Sequence, residues 1–113
     1  MPGFAISARL TTLGLCLVWL SIGMVVASES VSNRKRELIS LVRQDCGSCH
    51  GLTLAGGLGP PLLPQYLTEK PTETLVTIVM QGRPGTPMPG WSTFMNAQEA
   101  AWVVQMLKSG FPK

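Results

Sequence analysis

An all-α domain is predicted by three observations. Apolar residues recur at helical spacing in three segments, no segment of useful length alternates in the manner of a strand, and the stretches between are dense in glycine and proline. The 113 residues allow one small domain. Its connecting loops are long for that size, so they need an internal object to pack against.

The first 27 residues are expected to lie outside that domain. Arg9 supplies a positive charge, an apolar stretch runs from Leu10 to Val26, and Val25-Val26-Ala27 sets small residues where a signal peptidase reads. Cleavage after Ala27 is predicted, which leaves a domain over 28–113. The apolar run is also nearly long enough to cross a bilayer, so an uncleaved anchor is the alternative. Cys16, with Leu15 before it, lacks a lipoprotein context and leaves with the leader.

The first helix of the domain is expected to be capped by Ser32 or Asn33 and to run to about Asp45, with Leu38, Leu41 and Val42 on its apolar face. Gly47 then turns the chain. Residues 51–64 read as loop, because Gly51, Gly56, Gly57 and Gly59 are followed by Pro60, Pro61 and Pro64, which interrupt any regular element. A second helix runs from Pro71, at its first turn, to Gln81, with Gly82 as its stop and Leu75, Ile78 and Val79 facing inward. The nine residues Gly82-Arg83-Pro84-Gly85-Thr86-Pro87-Met88-Pro89-Gly90 exclude helix and central strand. The last helix starts at Asn96, with Glu99 completing a capping box, and continues through Ala100, Val103, Val104 and Leu107 to Gly110. A short extra helix is compatible with the pattern, so three or four are expected.

One pentapeptide declares chemistry. Cys46-Gly47-Ser48-Cys49-His50 places two thiols and an imidazole within five residues. The thiols can add across the two vinyl groups of a haem, and the imidazole can then reach the iron from one side. With Cys16 removed, both remaining cysteines are used in this way, giving one haem c bound through Cys46 and Cys49. A domain of about 86 residues buries a modest core by itself, and a covalently held macrocycle adds apolar area and joins distant loops.

His50 is the only histidine, so no second imidazole is available for the other face of the iron. Four methionines follow it. Met80 and Met106 fall within helical apolar patterns and are explained as core, whereas Met95 is undecided. Met88 sits between Pro87 and Pro89, a stiff mount that reduces the entropy lost when a thioether is presented to metal. Met88 is the preferred ligand, with Met95 or an open position as alternatives; an open position would make the protein a haem sensor or ligand-binding protein. The carbonyl of Pro60, ten residues beyond His50, is expected to accept the ring N–H of His50. Arg83 is a candidate partner for a propionate and Trp91 for the haem edge, while Trp102 is expected against the first helix.

Cys46-x-x-Cys49-His50, Gly59-Pro60 and Met88-Pro89, in that order, resemble the class I cytochromes c. The resemblance extends over essentially the whole domain. The runs Asp45–Gly51, Gly56–Pro60 and Gly82–Trp91 resemble more narrowly the cytochrome c-55X proteins called NirC. That resemblance implies a small class I cytochrome c fold of three to four helices around one covalently attached haem. It also implies a periplasmic, monohaem electron carrier of denitrification, whose partners are redox proteins: cytochrome cd1 nitrite reductase or the factors that mature its haem d1.

Other functions are disfavoured. After cleavage, eight basic and six acidic residues leave a net charge of +2, and two propionates bring that near zero. The short cluster Arg34-Lys35-Arg36 is a solvated helix start or a weak docking patch, so nucleic acid is not an expected partner. Zinc needs about four protein ligands, and Cys46, Cys49 and His50 offer three. No second titratable group accompanies the expected site, so an enzyme is not predicted. A monomer is expected, with contact to a membrane only if the leader is retained.

Overall fold

A computed structural model describes residues 27–113. The expected leader, including Cys16, lies outside the described residues except for its last residue, Ala27. The chain divides into two compact units, Met1–Arg36 and Glu37–Lys113. Residues 27–36 of the first unit are helical. Among the described residues no helix is long and apolar enough to cross a membrane.

Helix α1 covers residues 27–41, so Ser32 and Asn33 lie inside a helix and do not cap one. It does not stop at Asp45 either. A π-helical turn, Val42–Cys46, carries the chain into α2, Gly47–His50. Gly47 has helical torsions (φ −60°, ψ −28°) and donates its N–H to the carbonyls of Gln44 and Val42, so the turn expected there occurs four residues later, at Gly51 with φ 88°. A π turn accommodates one extra residue without breaking the hydrogen-bonded ladder, and such turns recur at functional positions. Here it immediately precedes the thiols.

The remaining helices are short. Pro64 opens α3, Pro64–Leu67, at a position where its missing N–H costs nothing. Helix α4, Thr72–Gln81, starts one residue after Pro71 and ends at Gly82, as the breaker residues predict. Helix α5, Ala97–Ser109, has both halves of the capping box: the Asn96 side chain accepts from the Glu99 N–H, and the Glu99 carboxylate accepts from the Asn96 N–H, each at 2.9 Å. No strand occurs among the described residues.

Helix α5 packs against both α3 and α4. Its Ala100, Val103, Val104 and Leu107 recur at i, i+3, i+4 and i+7 and are all buried. Leu38, Val42, Leu54, Leu67 and Met95 join Ala100, Val103 and Leu107 in the core, with Trp102 half-buried against it. On α4, Leu75, Ile78 and Val79 are only half-buried: they line a cavity, and Leu75 and Val79 also pack against the core. Two tethers close the fold: the Arg43 guanidinium donates to the Pro112 carbonyl at 2.9 Å, and Lys108 Nζ donates to the Lys70 carbonyl at 2.9 Å.

Candidate haem site

A cavity of about 870 Å³ occupies the space between α2, α4, α5 and the two long loops. That lies towards the upper end of the roughly 300–1,000 Å³ typical of small-molecule and cofactor pockets. Its walls are mostly apolar: Leu58, Leu62 and Leu67 on one side, Leu75, Ile78 and Val79 from α4, and Val103, Val104 and Leu107 from α5. The inward face of the last helix is therefore a cavity wall as well as core.

Cys46, Cys49 and His50 line this cavity together. Cys46 is half-buried and Cys49 exposed, and both thiols are free. Burial, helped by the neighbouring Asp45 carboxylate, pushes the Cys46 thiol up to about 11. It is thus held in its neutral form near pH 7.

His50 is buried, and its Nδ1 lies 2.6 Å from the Pro60 carbonyl oxygen. A carbonyl only accepts, so Nδ1 carries the proton and Nε2 keeps the lone pair that a metal requires. The loop responsible is pinned to the end of α2. Gly56 N–H donates to the His50 carbonyl and Gly59 N–H to the Cys49 carbonyl, each at 2.8 Å, which satisfies acceptors that the helix end leaves open. Gly59 has no room for a side chain: a Cβ there would lie 2.8 Å from His50 Cε1 and Nδ1. Leu54, buried with φ 59°, folds the same loop inward and accepts at its carbonyl from the Leu62 N–H.

The second loop brings Arg83, Met88 and Trp91 to the cavity. Met88 and Trp91 are half-buried and Arg83 is exposed. The Trp91 N–H donates to the Val79 carbonyl at 2.9 Å and Arg83 N–H to the Met88 carbonyl at 3.2 Å, so the loop is closed at its base. Gly82 makes that closure possible, since it has φ 73° and a Cβ would sit 2.6 Å from the Met88 carbonyl oxygen. Of the four methionines, Met88 and Met95 reach the cavity, whereas Met80 and Met106 do not. Met95 is almost fully buried and belongs to the core cluster.

All seven residues singled out from the sequence, Cys46, Cys49, His50, Pro60, Arg83, Met88 and Trp91, therefore converge on one cavity. Sequence reasoning missed Leu58, Tyr66 and Val104 on its wall, together with the hydroxyl of Thr86 inside the second loop. Only Thr86 had a local signal, its place between Gly85 and Pro87 in a turn-forming run. The residues fit a haem: two thiols and a buried, correctly tautomerised imidazole border an apolar space of suitable size, and a methionine shares it. Bound there, haem supplies a one-electron Fe(III)/Fe(II) couple.

Comparison with known proteins agrees. The family described as "Cytochrome C oxidase, cbb3-type, subunit III" matches residues 33–107. Cytochrome c55X of Stutzerimonas stutzeri is 44% identical over 102 residues, covering 89% of this chain and 90% of that protein. The solved structure of "c-type cytochrome NirC" superposes with a TM-score of 0.68 at 52% identity, covering 70% of this chain and 93% of that one. "Dihydro-heme d1 dehydrogenase" of Pseudomonas aeruginosa (strain PAO1) is 34% identical over 74 residues, which are 66% of this chain but only 15% of that protein. The cavity, the Cys-x-x-Cys-His wall and these likenesses place the chain in the cytochrome c55X family of c-type cytochromes, with haem c as its cofactor.

Proposed function

We propose that the protein is a single-electron carrier of denitrification, with His50 and Met88 as the two axial ligands of haem c and Cys46 and Cys49 as its covalent anchors. The observation that carries the reading is the 2.6 Å contact between His50 Nδ1 and the Pro60 carbonyl, on a cavity that also contains Met88. The hydrogen bond makes the imidazole a stronger donor and fixes its ring. A thioether on the other face favours the reduced state and closes the iron to small molecules, which suits electron transfer and opposes a sensing role. Arg83, exposed on the cavity lining, would supply a cation for a propionate, and Trp91, half-buried on the same lining, would pack near the haem edge.

The likeness to cytochrome c55X and NirC supports denitrification as the setting, and an exported, periplasmic chain released after Ala27 is consistent with haem attachment outside the cytoplasm. Cytochrome cd1 nitrite reductase is the proposed electron acceptor. A second reading, redox service in haem d1 maturation, is favoured by one observation: a segment like this chain forms part of a dihydro-heme d1 dehydrogenase. Such an oxidation releases two electrons, which a one-haem carrier removes in two single-electron turns.

A strain lacking the gene tests both. Normal haem d1 content with poor nitrite turnover supports donation to the reductase; missing haem d1 supports maturation. Normal haem d1 with normal nitrite turnover would contradict the proposal.

A further inference from the structure

We infer that Thr86 is a positioning residue for Met88, its hydroxyl holding the ligand loop in the closed register; this rests on the reading of Met88 as the axial ligand. Residues 83–88 form a closed ring of backbone and side-chain bonds. Arg83 N–H donates to the Met88 carbonyl at 3.2 Å, and Thr86 N–H donates back to the Arg83 carbonyl at 3.1 Å. The Thr86 hydroxyl adds to both ends of this ring. It donates to the same Arg83 carbonyl at 2.7 Å, and its oxygen accepts from the Met88 N–H at 3.4 Å.

A hydroxyl has one proton and two lone pairs, so it can do both at once. The two bonds tie Met88 to Arg83 through a second path beside the direct Arg83–Met88 bond. Without them the Met88 N–H loses its Thr86 acceptor, and the turn keeps only backbone bonds and the stiffness of Pro84, Pro87 and Pro89. The loop is exposed from Arg83 to Pro87, with little packing to fix it. The ring of hydrogen bonds thus carries the positioning, and Thr86 is the one side chain within it.

The consequence is kinetic and thermodynamic control of the thioether. A loop that opens more readily releases Met88 from iron more often, so an added ligand competes better. Imidazole titration of the ferric holoprotein reads this directly. Thr86→Val keeps shape and β-branching but removes the hydroxyl, and should tighten apparent imidazole binding about fivefold, the effect of one exposed hydrogen bond. Thr86→Ser should return it to within about twofold of wild type, since it restores the hydroxyl. Thr77→Val, which removes a hydroxyl bonded to the Glu73 carbonyl on α4, should leave it unchanged.

A double-mutant cycle with Met88→Ala separates the layers. If Met88 is the ligand, Met88→Ala alone binds imidazole far more tightly than wild type, and adding Thr86→Val to it changes nothing. Thr86→Val without effect, or with the same effect whether Met88 is present or absent, overturns the positioning role and leaves the ligand reading intact. Met88→Ala with wild-type imidazole affinity overturns the ligand reading, and the inference with it.

Discussion

The two loops that meet at the cavity are built on different principles. The first, residues 51–62, is stitched to the end of α2 by backbone bonds to the carbonyls of Cys49 and His50, and it encloses a buried imidazole. Its partners lie within about a dozen residues of one another, and its tight packing leaves no space beside Gly59. The second, residues 82–90, is mostly exposed and rests on its own turn, three prolines and a glycine-closed base. One end of the proposed iron axis is thus fixed by burial, and the other by the conformational stiffness of a surface loop. On the proposed ligation, the imidazole is the more firmly held of the two ligands.

That contrast can be broken most severely at Gly59. Gly59→Ala drives a Cβ into the His50 ring, a contact backed by packed structure, and should cost about 3 kcal/mol of stability as overpacking. Thermal unfolding of the holoprotein, with the reduction potential alongside, measures both the loss and the displaced ring. Gly82→Ala is the corresponding insult to the other loop, with a Cβ 2.6 Å from the Met88 carbonyl at φ 73°. The exposed loop can swing away, so the expected stability loss is smaller, about 1–2 kcal/mol. Its main readout should be easier binding of imidazole to ferric iron. If Gly82→Ala destabilised the fold as much as Gly59→Ala without admitting imidazole, the two loops would not differ as described.

Asn96→Ala removes an N-cap outside both loops and should cost about 1 kcal/mol in chemical denaturation, with no change in the visible spectrum. A spectral change would mean that α5 governs ligation and that the loops are not separable. The smallest effect is expected at Arg83. Arg83→Gln removes an exposed cation from the cavity edge; since positive charge opposes the oxidised iron, the potential should fall, by about 10 mV for so screened a charge. A rise would contradict a role for Arg83 beside the haem.

Much of this was legible because it is local. The Asn96–Glu99 box, the stops at Gly82 and Gly110, and the Cys46–His50 motif each act within a few residues, so spacing alone identifies them. The first helix was harder. Ser32 and Asn33 look like caps but lie within a helix, and Gly47 looks like a breaker but is held helical through the π turn. Local propensity loses there to a hydrogen-bonded ladder running on into the cysteine motif. Nor does spacing reveal that Leu54 adopts φ 59°, or that Leu58, Tyr66 and Val104 share one wall, because those facts arise from tertiary packing. The methionines fall between: stiffness around Met88 is visible in sequence, but the presence of Met95 on the same cavity is not.

Those two methionines make the decisive measurement possible. Ferric absorption spectra of the wild type, Met88→Ala and Met95→Ala holoproteins report the red sulfur-to-iron band directly. The band should be present in the wild type, absent in Met88→Ala and retained in Met95→Ala. A band that survives loss of Met88, or disappears with Met95 alone, would contradict ligation by the proline-braced loop.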